Sequence, residues 1–160
     1  MKELFDIMPQ IGTIEWIGLR PEKKANLIEV ENANVKLSKG LEGDHYKGSS
    51  GKREVTLIQK EHLDTVASIL QKDKIEPFKT RRNIVVSGIN LQALKDKQFS
   101  IGEEVVLETT GMCHPCSRME QNLGAGGYNA MRGHGGITTK VIKGGTIKKG
   151  DSVKLMKTEK

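Results

Sequence analysis

Gly102-Glu103-Glu104-Val105-Val106-Leu107 and Gly150-Asp151-Ser152-Val153-Lys154-Leu155 share one pattern in the second half of the chain. Each segment has a glycine, an acidic residue, and then a valine and a leucine separated by one position. A glycine and an acid favour a turn, and the alternation that follows is typical of a short strand. Such turns are common in barrels, so the repeated pattern favours a barrel of short strands.

Four further segments have the composition of strands. Two of them carry apolar, often β-branched residues at every second or third position, and the other two are short apolar runs. They are residues 11–19, 26–37, 55–58 and 83–86. In the second segment the alternation predicts four inward-facing side chains, which are Leu27, Val30, Val35 and Leu37.

One clear helix is predicted between the last two of these strands. Residues 60–71 place Leu63 and Val66 at helical spacing, and Pro77 is a point that the helix cannot pass. Residues 91–94 give a weaker helical signal. Short strands outnumber helices, so the sequence predicts a mainly β (α+β) fold. We expect a β-barrel with one or two packed helices, in a single domain over residues 1–160.

The composition is that of a folded, soluble protein, with 36% hydrophobic and 29% charged residues. The net charge is +6, but the lysines are dispersed and aromatic residues make up only 4% of the chain. Single-strand binders usually combine a basic surface with stacking rings, so we expect no specific nucleic acid partner. Part of the charge can instead receive a small phosphorylated ligand.

No apolar run is long enough to cross a bilayer and no secretory signal is evident, which favours the cytoplasm and no membrane.

Both cysteines lie in Cys113-His114-Pro115-Cys116, too close together to staple distant segments. Proline suits the first position of a helix, so Pro115 is predicted to begin a short helix with Cys116 in its first turn. The unpaired N–H groups there favour a thiolate, and His114 and Arg118 can add positive charge. The pattern predicts a reactive or metal-binding sulfur at Cys116.

Three other interpretations of the cysteines stay open. Free cysteines are often small buried hydrophobes. Cys113, Cys116, His114 and the distant His134 have the ligand types of a zinc site, although there is no second closely spaced pair. A thioredoxin-like dithiol has the same Cys-X-X-Cys form, but it normally lies early in a βαβ unit rather than after a β-rich region.

A second group of candidate residues is Arg81-Arg82-Asn83, which directly precedes a predicted strand. Two guanidinium groups and an amide at a strand end suit a phosphate or an electron-rich heterocycle, although solvated surface arginines are as common. Residues 40–44 and 124–136 are rich in glycine and are predicted to be ordered loops. We expect the arginines and the second loop to wall the pocket into which the Cys116 thiol points.

Several motifs follow one another along the chain. They are residues 40–44, 53–58, 83–91, Cys113-His114-Pro115-Cys116, the glycine-rich 130–136 and the closing 141–151. These motifs, in this order, resemble the MOSC domain, which is related to the C-terminal part of molybdenum cofactor sulfurases. The resemblance extends over about residues 11–155, and the last third is similar to short stand-alone bacterial members.

The resemblance implies a β-barrel that holds the molybdenum cofactor, a pterin with dithiolene sulfurs and a phosphate. Cys116 matches the cysteine that is a molybdenum ligand in mitochondrial amidoxime-reducing proteins, and Arg81 and Asn83 match residues near the cofactor there. A soft thiolate suits such a metal centre. Pyridoxal phosphate is not expected on this chain. The other implied site residues are Cys113 beside the working thiol and, at the cofactor, Arg82, Gly43, Asp44, Arg53, His114 and Arg118.

The resemblance implies two roles for the Cys116 thiolate. As a molybdenum ligand it would serve the reduction of N-hydroxylated compounds, with electrons from an electron-transfer protein, because the chain has no flavin or nicotinamide motif. As a persulfide carrier it would be loaded by a desulfurase. The alternatives are a non-catalytic carrier that binds molybdopterin and passes it to a molybdoenzyme, and a Cys-X-X-Cys thiol redox module.

Overall fold

The computed structural model of the protein describes residues 1–45 and 51–156. Its strands are β1 (Gly12–Leu19), β2 (Ile28–Val30), β3 (Asn32–Lys36), β4 (Gly40–Leu41), β5 (Val55–Gln59), β6 (Ile84–Ser87), β7 (Gln98–Ile101), β8 (Val105–Met112), β9 (Ile137–Lys143), β10 (Gly145–Lys148) and β11 (Ser152–Leu155). Its α-helices are α1 (Lys60–Ile69), α2 (Ser117–Leu123) and α3 (Gly127–Met131). Short 3-10 helices occupy Lys2–Asp6, Pro77–Thr80 and Leu91–Leu94.

Seven strands form a closed barrel in the order β11-β7-β8-β9-β5-β6-β1, and pairing of β1 with β11 completes it. Strand β2 pairs with the last residues of β1, and β10, β3 and β4 form a separate small sheet. Only β5 and β6 pair in parallel within the described residues, since α1 carries the chain back across the barrel between them. The predicted mainly β, α+β barrel is confirmed, with three α-helices rather than one or two.

The two repeated segments meet at one end of the barrel. Gly102 and Gly150 both have positive φ, and the strands that follow them begin at Val105 and Ser152. The two strands lie on either side of β7, where Ile101 pairs with both Val105 and Val153. The backbone N–H of Gly102 donates to the carbonyl of Ser152 at 2.9 Å. The glycine-plus-acid pattern therefore marks neighbouring turns in the barrel, as predicted.

Two hydrophobic cores lie on opposite faces of the parallel pair. In β6, Ile84 and Val86 face the barrel interior, while Val85 faces the helices. Residues two apart in a regular strand face the same side, but a register shift between Ile14 and Trp16 in β1 places them on opposite sides. Ile14 lies in the barrel core and Trp16 in the helix-side core. An extra residue in a strand disrupts simple alternation in this way. Burial on both faces explains why 83–86 has a continuous apolar run rather than an alternating one.

Some local predictions are corrected by the structure. The segment 26–37 is two strands in different sheets, β2 and β3, rather than one. Leu27 and Val35 are buried and Val30 is partly buried, but the prediction for Leu37 is wrong. Its side chain is 60% exposed because β3 ends one residue earlier and the chain turns away. The sequence also indicates a polar, glycine-containing connection at residues 49–52, of which 49 and 50 lie outside the described residues.

The end of the barrel that matters for the site is the one where β1 ends and β5 and β6 begin. Residues after Leu19, before Val55 and before Ile84 therefore lie at the same rim. Strand β8 runs in the same direction as β5, and the segment that follows it returns to line the pocket with Cys116. No helix in residues 1–45 and 51–156 is long and apolar enough to span a membrane.

Candidate functional site

An open pocket of about 420 Å³ lies at this rim of the barrel. Its lining comes from five separate stretches of the described chain, and most of its polar groups are cationic. The lining residues are Arg20, Lys23, Lys24, Asp44, His45, Arg53, Thr56, Arg81, Arg82, Asn83, Cys116, Arg118 and Met119.

The pocket is strongly positive. Among the residues that the structure describes, seven arginine and lysine side chains line it, against the single carboxylate of Asp44. That carboxylate accepts a hydrogen bond from the backbone N–H of Arg20 at 2.7 Å, so it binds the loop after β1. Such an excess of guanidinium and ammonium groups in a concave surface favours an anionic ligand, and arginine in particular suits phosphate.

Two nitrogens in the pocket wall are buried without a hydrogen-bond partner among the described residues. They are Nε of Arg20 and Nε2 of His45. The two residues also bond to each other, since the backbone N–H of His45 donates to the carbonyl of Arg20 at 2.6 Å and Nη2 of Arg20 donates to the carbonyl of His45 at 3.3 Å. A buried unpaired nitrogen is costly, so both are suited to meet an acceptor on a bound ligand.

Four of the seven cations in this wall are predicted as site residues, and three are not. The three are Arg20, Lys23 and Lys24, which come from residues 20–25, a segment between two predicted strands that the sequence indicates only as a turn. The signal that could have revealed them is three cations directly after a predicted strand, at the position where ligands often bind. His45 also lines the pocket, and as a lone histidine after the glycine-rich residues 40–44 it is only a weak indication of a site in the sequence.

Arg81 lies in the pocket with an unusual backbone. Its φ of 62° is in the left-handed region, which costs a non-glycine residue some conformational energy and is often found at functional sites. Its Nη1 donates to the carbonyl of Ala25 at 3.2 Å, which joins the β6 rim to the loop after β1. Partial burial and the nearby charges of Arg20 and Arg118 lower the pKa of Arg81. Concentrating like charges in this way favours a bound anion.

Asn83 and Arg82 line the pocket but are largely enclosed. The side-chain oxygen of Asn83 accepts from both the backbone N–H and the hydroxyl of Thr56, and its nitrogen donates to the carbonyl of Gly18 at 3.3 Å. Arg82 donates through Nε to the carbonyl of Gly135 and through Nη1 to that of Thr80. These side chains therefore connect the elements that form the rim.

Cys116 is exposed and lines the pocket. Helix α2 begins at Ser117, one residue later, so the prediction that Pro115 begins the helix and Cys116 lies in its first turn is wrong. Cys116 has an extended backbone, with φ of −129° and ψ of 176°, and its carbonyl accepts from the N–H of Met119 at 2.9 Å. Cys116 is therefore the N-cap residue of α2, and it lines the pocket together with Arg118.

The other predicted residues divide into two groups. Asp44, Arg53 and Arg118 line the pocket with Cys116, whereas Gly43 and His114 are exposed and outside the lining. Cys113 is 4% exposed and also lies outside it. Among the described residues no three His, Cys, Asp or Glu side chains lie close enough to hold a metal ion, so the four zinc ligands considered above are not assembled.

The glycine-rich stretch 124–136 is not a wall of this pocket, contrary to expectation. It contains α3 and then a turn that packs behind the cysteine motif. The N–H of Cys113 donates to the carbonyl of Gly136 at 2.8 Å. The glycine turn therefore supports the cysteine motif from behind, while the loops after β1 and β4 form the wall.

Known structures share the fold. The YuaD protein from Bacillus subtilis superposes with a TM-score of 0.81 at 15% identity, covering 96% of this chain and 100% of that one. YiiM from Escherichia coli gives a TM-score of 0.69 at 17% identity, with 92% and 71% covered. YiiM from Geobacillus stearothermophilus gives 0.74 at 14% identity, with 91% and 75% covered. No curated protein matches the sequence.

The family comparison is direct, since the family model described as MOSC domain matches residues 35–154. The matched region contains the cysteine motif, the residues before β6 and the closing repeat of the barrel. It excludes β1 and the loop that supplies Arg20, Lys23 and Lys24. With three quarters of its length matched, the chain belongs to the MOSC domain family.

Proposed function

We propose that this pocket binds the molybdenum cofactor and that the Cys116 thiolate works on it, as a molybdenum ligand or as a carrier of persulfide sulfur. The observation that carries the proposal is that one exposed thiol and seven cationic side chains line the same cavity. The MOSC family is associated in general with molybdenum cofactor binding or sulfur-related function.

The residues present fit the chemistry of that group. Molybdopterin carries a phosphate, and the unpartnered Nε of Arg20 and Nε2 of His45 can each meet an acceptor atom. A thiolate is a soft ligand and suits a sulfur-rich metal centre. When bound, the cofactor would supply the oxygen-atom and electron chemistry that this chain's side chains lack.

Several cationic side chains would hold the anion. Arg20, Arg81 and Arg118 line the cavity with Cys116, and Arg53 lies on the same wall before β5. Asp44 holds the backbone of Arg20 in place and Asn83 holds the start of β5 against that of β6. These residues bind and orient, while the thiolate supplies the reactive sulfur.

The ligand and carrier roles use the same sulfur in different ways. As a ligand, Cys116 stays bound while an external electron-transfer protein supports reduction of N-hydroxylated compounds. As a carrier, the thiolate attacks the outer sulfur of a desulfurase persulfide, so a new S–S bond forms and the donor leaves as its thiolate. When an acceptor thiolate attacks that outer sulfur, a new S–S bond forms on the acceptor and Cys116 leaves as its thiolate. Because both cysteines are free thiols, we place the protein in a reducing compartment, the cytoplasm.

The test is elemental and pterin analysis of protein purified from a host that synthesises the cofactor. We expect the native chain to contain molybdenum and pterin together. Cys116→Ser should lose either its molybdenum, measured by elemental analysis, or its persulfide, detected by mass spectrometry. Cys113→Ser serves as the matched control. Protein that carries neither molybdenum nor pterin under these conditions would exclude the proposal.

A non-catalytic cofactor carrier is the second candidate, and the number of cations in the pocket favours it. With so many charged contacts, the pocket can hold an anionic pterin without a sulfur ligand. In that case Cys116→Ser would keep its full cofactor content and its ability to reconstitute an apo-molybdoenzyme. Loss of function in that variant would instead support one of the thiol-based roles.

A further inference from the structure

Arg82 is enclosed in the wall of the site and bonds to the backbone of its own segment and to that of the distant glycine turn. Its side chain is 6% exposed. Nη1 donates at 2.9 Å to the carbonyl of Thr80, at the end of the 3-10 helix, and Nε donates at 2.7 Å to the carbonyl of Gly135. Among the described residues no carboxylate pairs with it. Arg82 therefore connects the rim before β6 to the glycine turn.

Gly135 in turn packs directly on the cysteine motif. A Cβ atom at this position would lie 2.1 Å from the carbonyl oxygen of Cys113, so only glycine allows the two backbones to approach this closely. The next residue, Gly136, accepts the N–H of Cys113 at 2.8 Å. The position of the glycine turn consequently sets the position of Cys113.

Only two residues separate Cys113 from Cys116, which directly precedes helix α2. The helix is anchored by buried Met119 and by Asn122, whose side chain donates to the carbonyl of Lys79 at 2.9 Å. Lys79 belongs to the same 3-10 helix that Arg82 holds through Thr80. Both ends of the cysteine motif are therefore tied to the segment that carries Arg81 and Arg82.

We propose that Arg82 is a positioning residue, which orients the Cys116 thiol toward the cationic pocket by holding Gly135 and Thr80 in a fixed relation. The sequence interpretation made it a ligand contact, but two of its donors are used on backbone carbonyls. The inference rests on the proposed function of Cys116 as the working sulfur. Its test needs no cofactor, so the two ideas can fail separately.

The measurement is the rate at which Cys116 is alkylated by iodoacetate and by iodoacetamide, with the modified site assigned by mass spectrometry. Arginines around the thiol favour the negatively charged reagent. The rate ratio is the rate with iodoacetate divided by the rate with iodoacetamide, normalised to the same ratio for free cysteine. A high rate ratio therefore reports that the sulfur lies close to Arg81 and Arg118. The ratio is taken at several pH values.

Arg82→Lys keeps the charge but replaces the planar fork with one ammonium group, which does not reproduce both backbone contacts. Gly135→Ala breaks the same connection from the other side. We expect each to lower the rate ratio by about threefold or more, and the double variant to be no lower than the single ones, because both act through one contact. Gly111→Ala, where a Cβ makes ordinary contact, and Arg132→Gln, an exposed arginine in the loop, are the controls.

A rate ratio in folded Arg82→Lys equal to that of the native chain would overturn the proposal, since charge alone would then suffice. Additive effects in the double variant would overturn it as well. Should Arg82 variants fail to fold, Gly135→Ala decides, and an unchanged ratio in that variant rejects the connection.

Discussion

The side-chain oxygen of Asn83 accepts hydrogen bonds from both the backbone N–H and the hydroxyl of Thr56, at 3.1 and 3.2 Å. The backbone N–H of Asn83 in turn donates to the hydroxyl oxygen of Thr56 at 3.1 Å. This exchange joins β5 and the residue before β6 where the parallel pair begins, directly beneath the pocket. Asn83 is 5% exposed, so water does not replace these partners.

Asn83→Ala should lower the free energy of unfolding by about 2–4 kcal/mol, because it leaves the buried N–H of Thr56 and the carbonyl of Gly18 without this partner. Urea unfolding followed by circular dichroism measures the change. Thr56→Val, which removes only a hydroxyl, should cost about 1 kcal/mol. A smaller loss in Asn83→Ala than in Thr56→Val would show that the amide does not hold the strands together.

The two cysteines should differ sharply in native reactivity. Cys116 is exposed and Cys113 is buried behind the glycine turn, so iodoacetamide reaches Cys113 only through local opening. We expect Cys116 to be modified about tenfold faster or more, and the difference to vanish in urea. Peptide mapping after timed alkylation measures both rates. Equal native rates would contradict the burial of Cys113.

Removing one cation from the pocket should weaken cofactor retention. For Arg81→Gln we expect a loss of about 1.5–3 kcal/mol of binding, or roughly 10- to 100-fold, because a charge-assisted hydrogen bond to the phosphate is lost. Pterin content after dialysis at increasing salt measures retention, and Arg132→Gln is the control outside the pocket. Retention equal to that of the native chain would mean that the anion lies elsewhere.

His62 should make stability sensitive to mild acid. Burial, followed by the nearby His134 ring with a centroid distance of 5.0 Å, lowers the pKa of His62 below 6.5. The unfolded chain therefore binds a proton first as the pH falls through 6.5, and the folded state loses stability until the lower folded pKa is passed. His62→Gln should flatten this part of the profile of unfolding free energy against pH. His134→Gln should flatten it only in part, since burial is the larger cause.

Much of the barrel could be predicted from the sequence because its determinants are local. The glycine-plus-acid turns at 102 and 150, the apolar run before Ser87 and the helical spacing after Lys60 each depend on neighbours in the chain. The failures share a reason as well. Leu37 faces solvent and Trp16 changes sides because strand ends and register shifts depend on pairing with distant strands.

A mainly β barrel, a cysteine motif suited to chemistry and a pair of arginines before a strand could all be inferred from the sequence. Which residues share a pocket depends on how distant parts of the chain pack together. Long-range packing brings Arg20, His45, Arg81 and Cys116 to one pocket, although nothing in their spacing along the chain requires it. It also separates the two cysteines into an exposed and a buried thiol and encloses Arg82 in the pocket wall rather than in solvent. Local patterns specify elements, whereas burial and charge at a site arise from long-range packing.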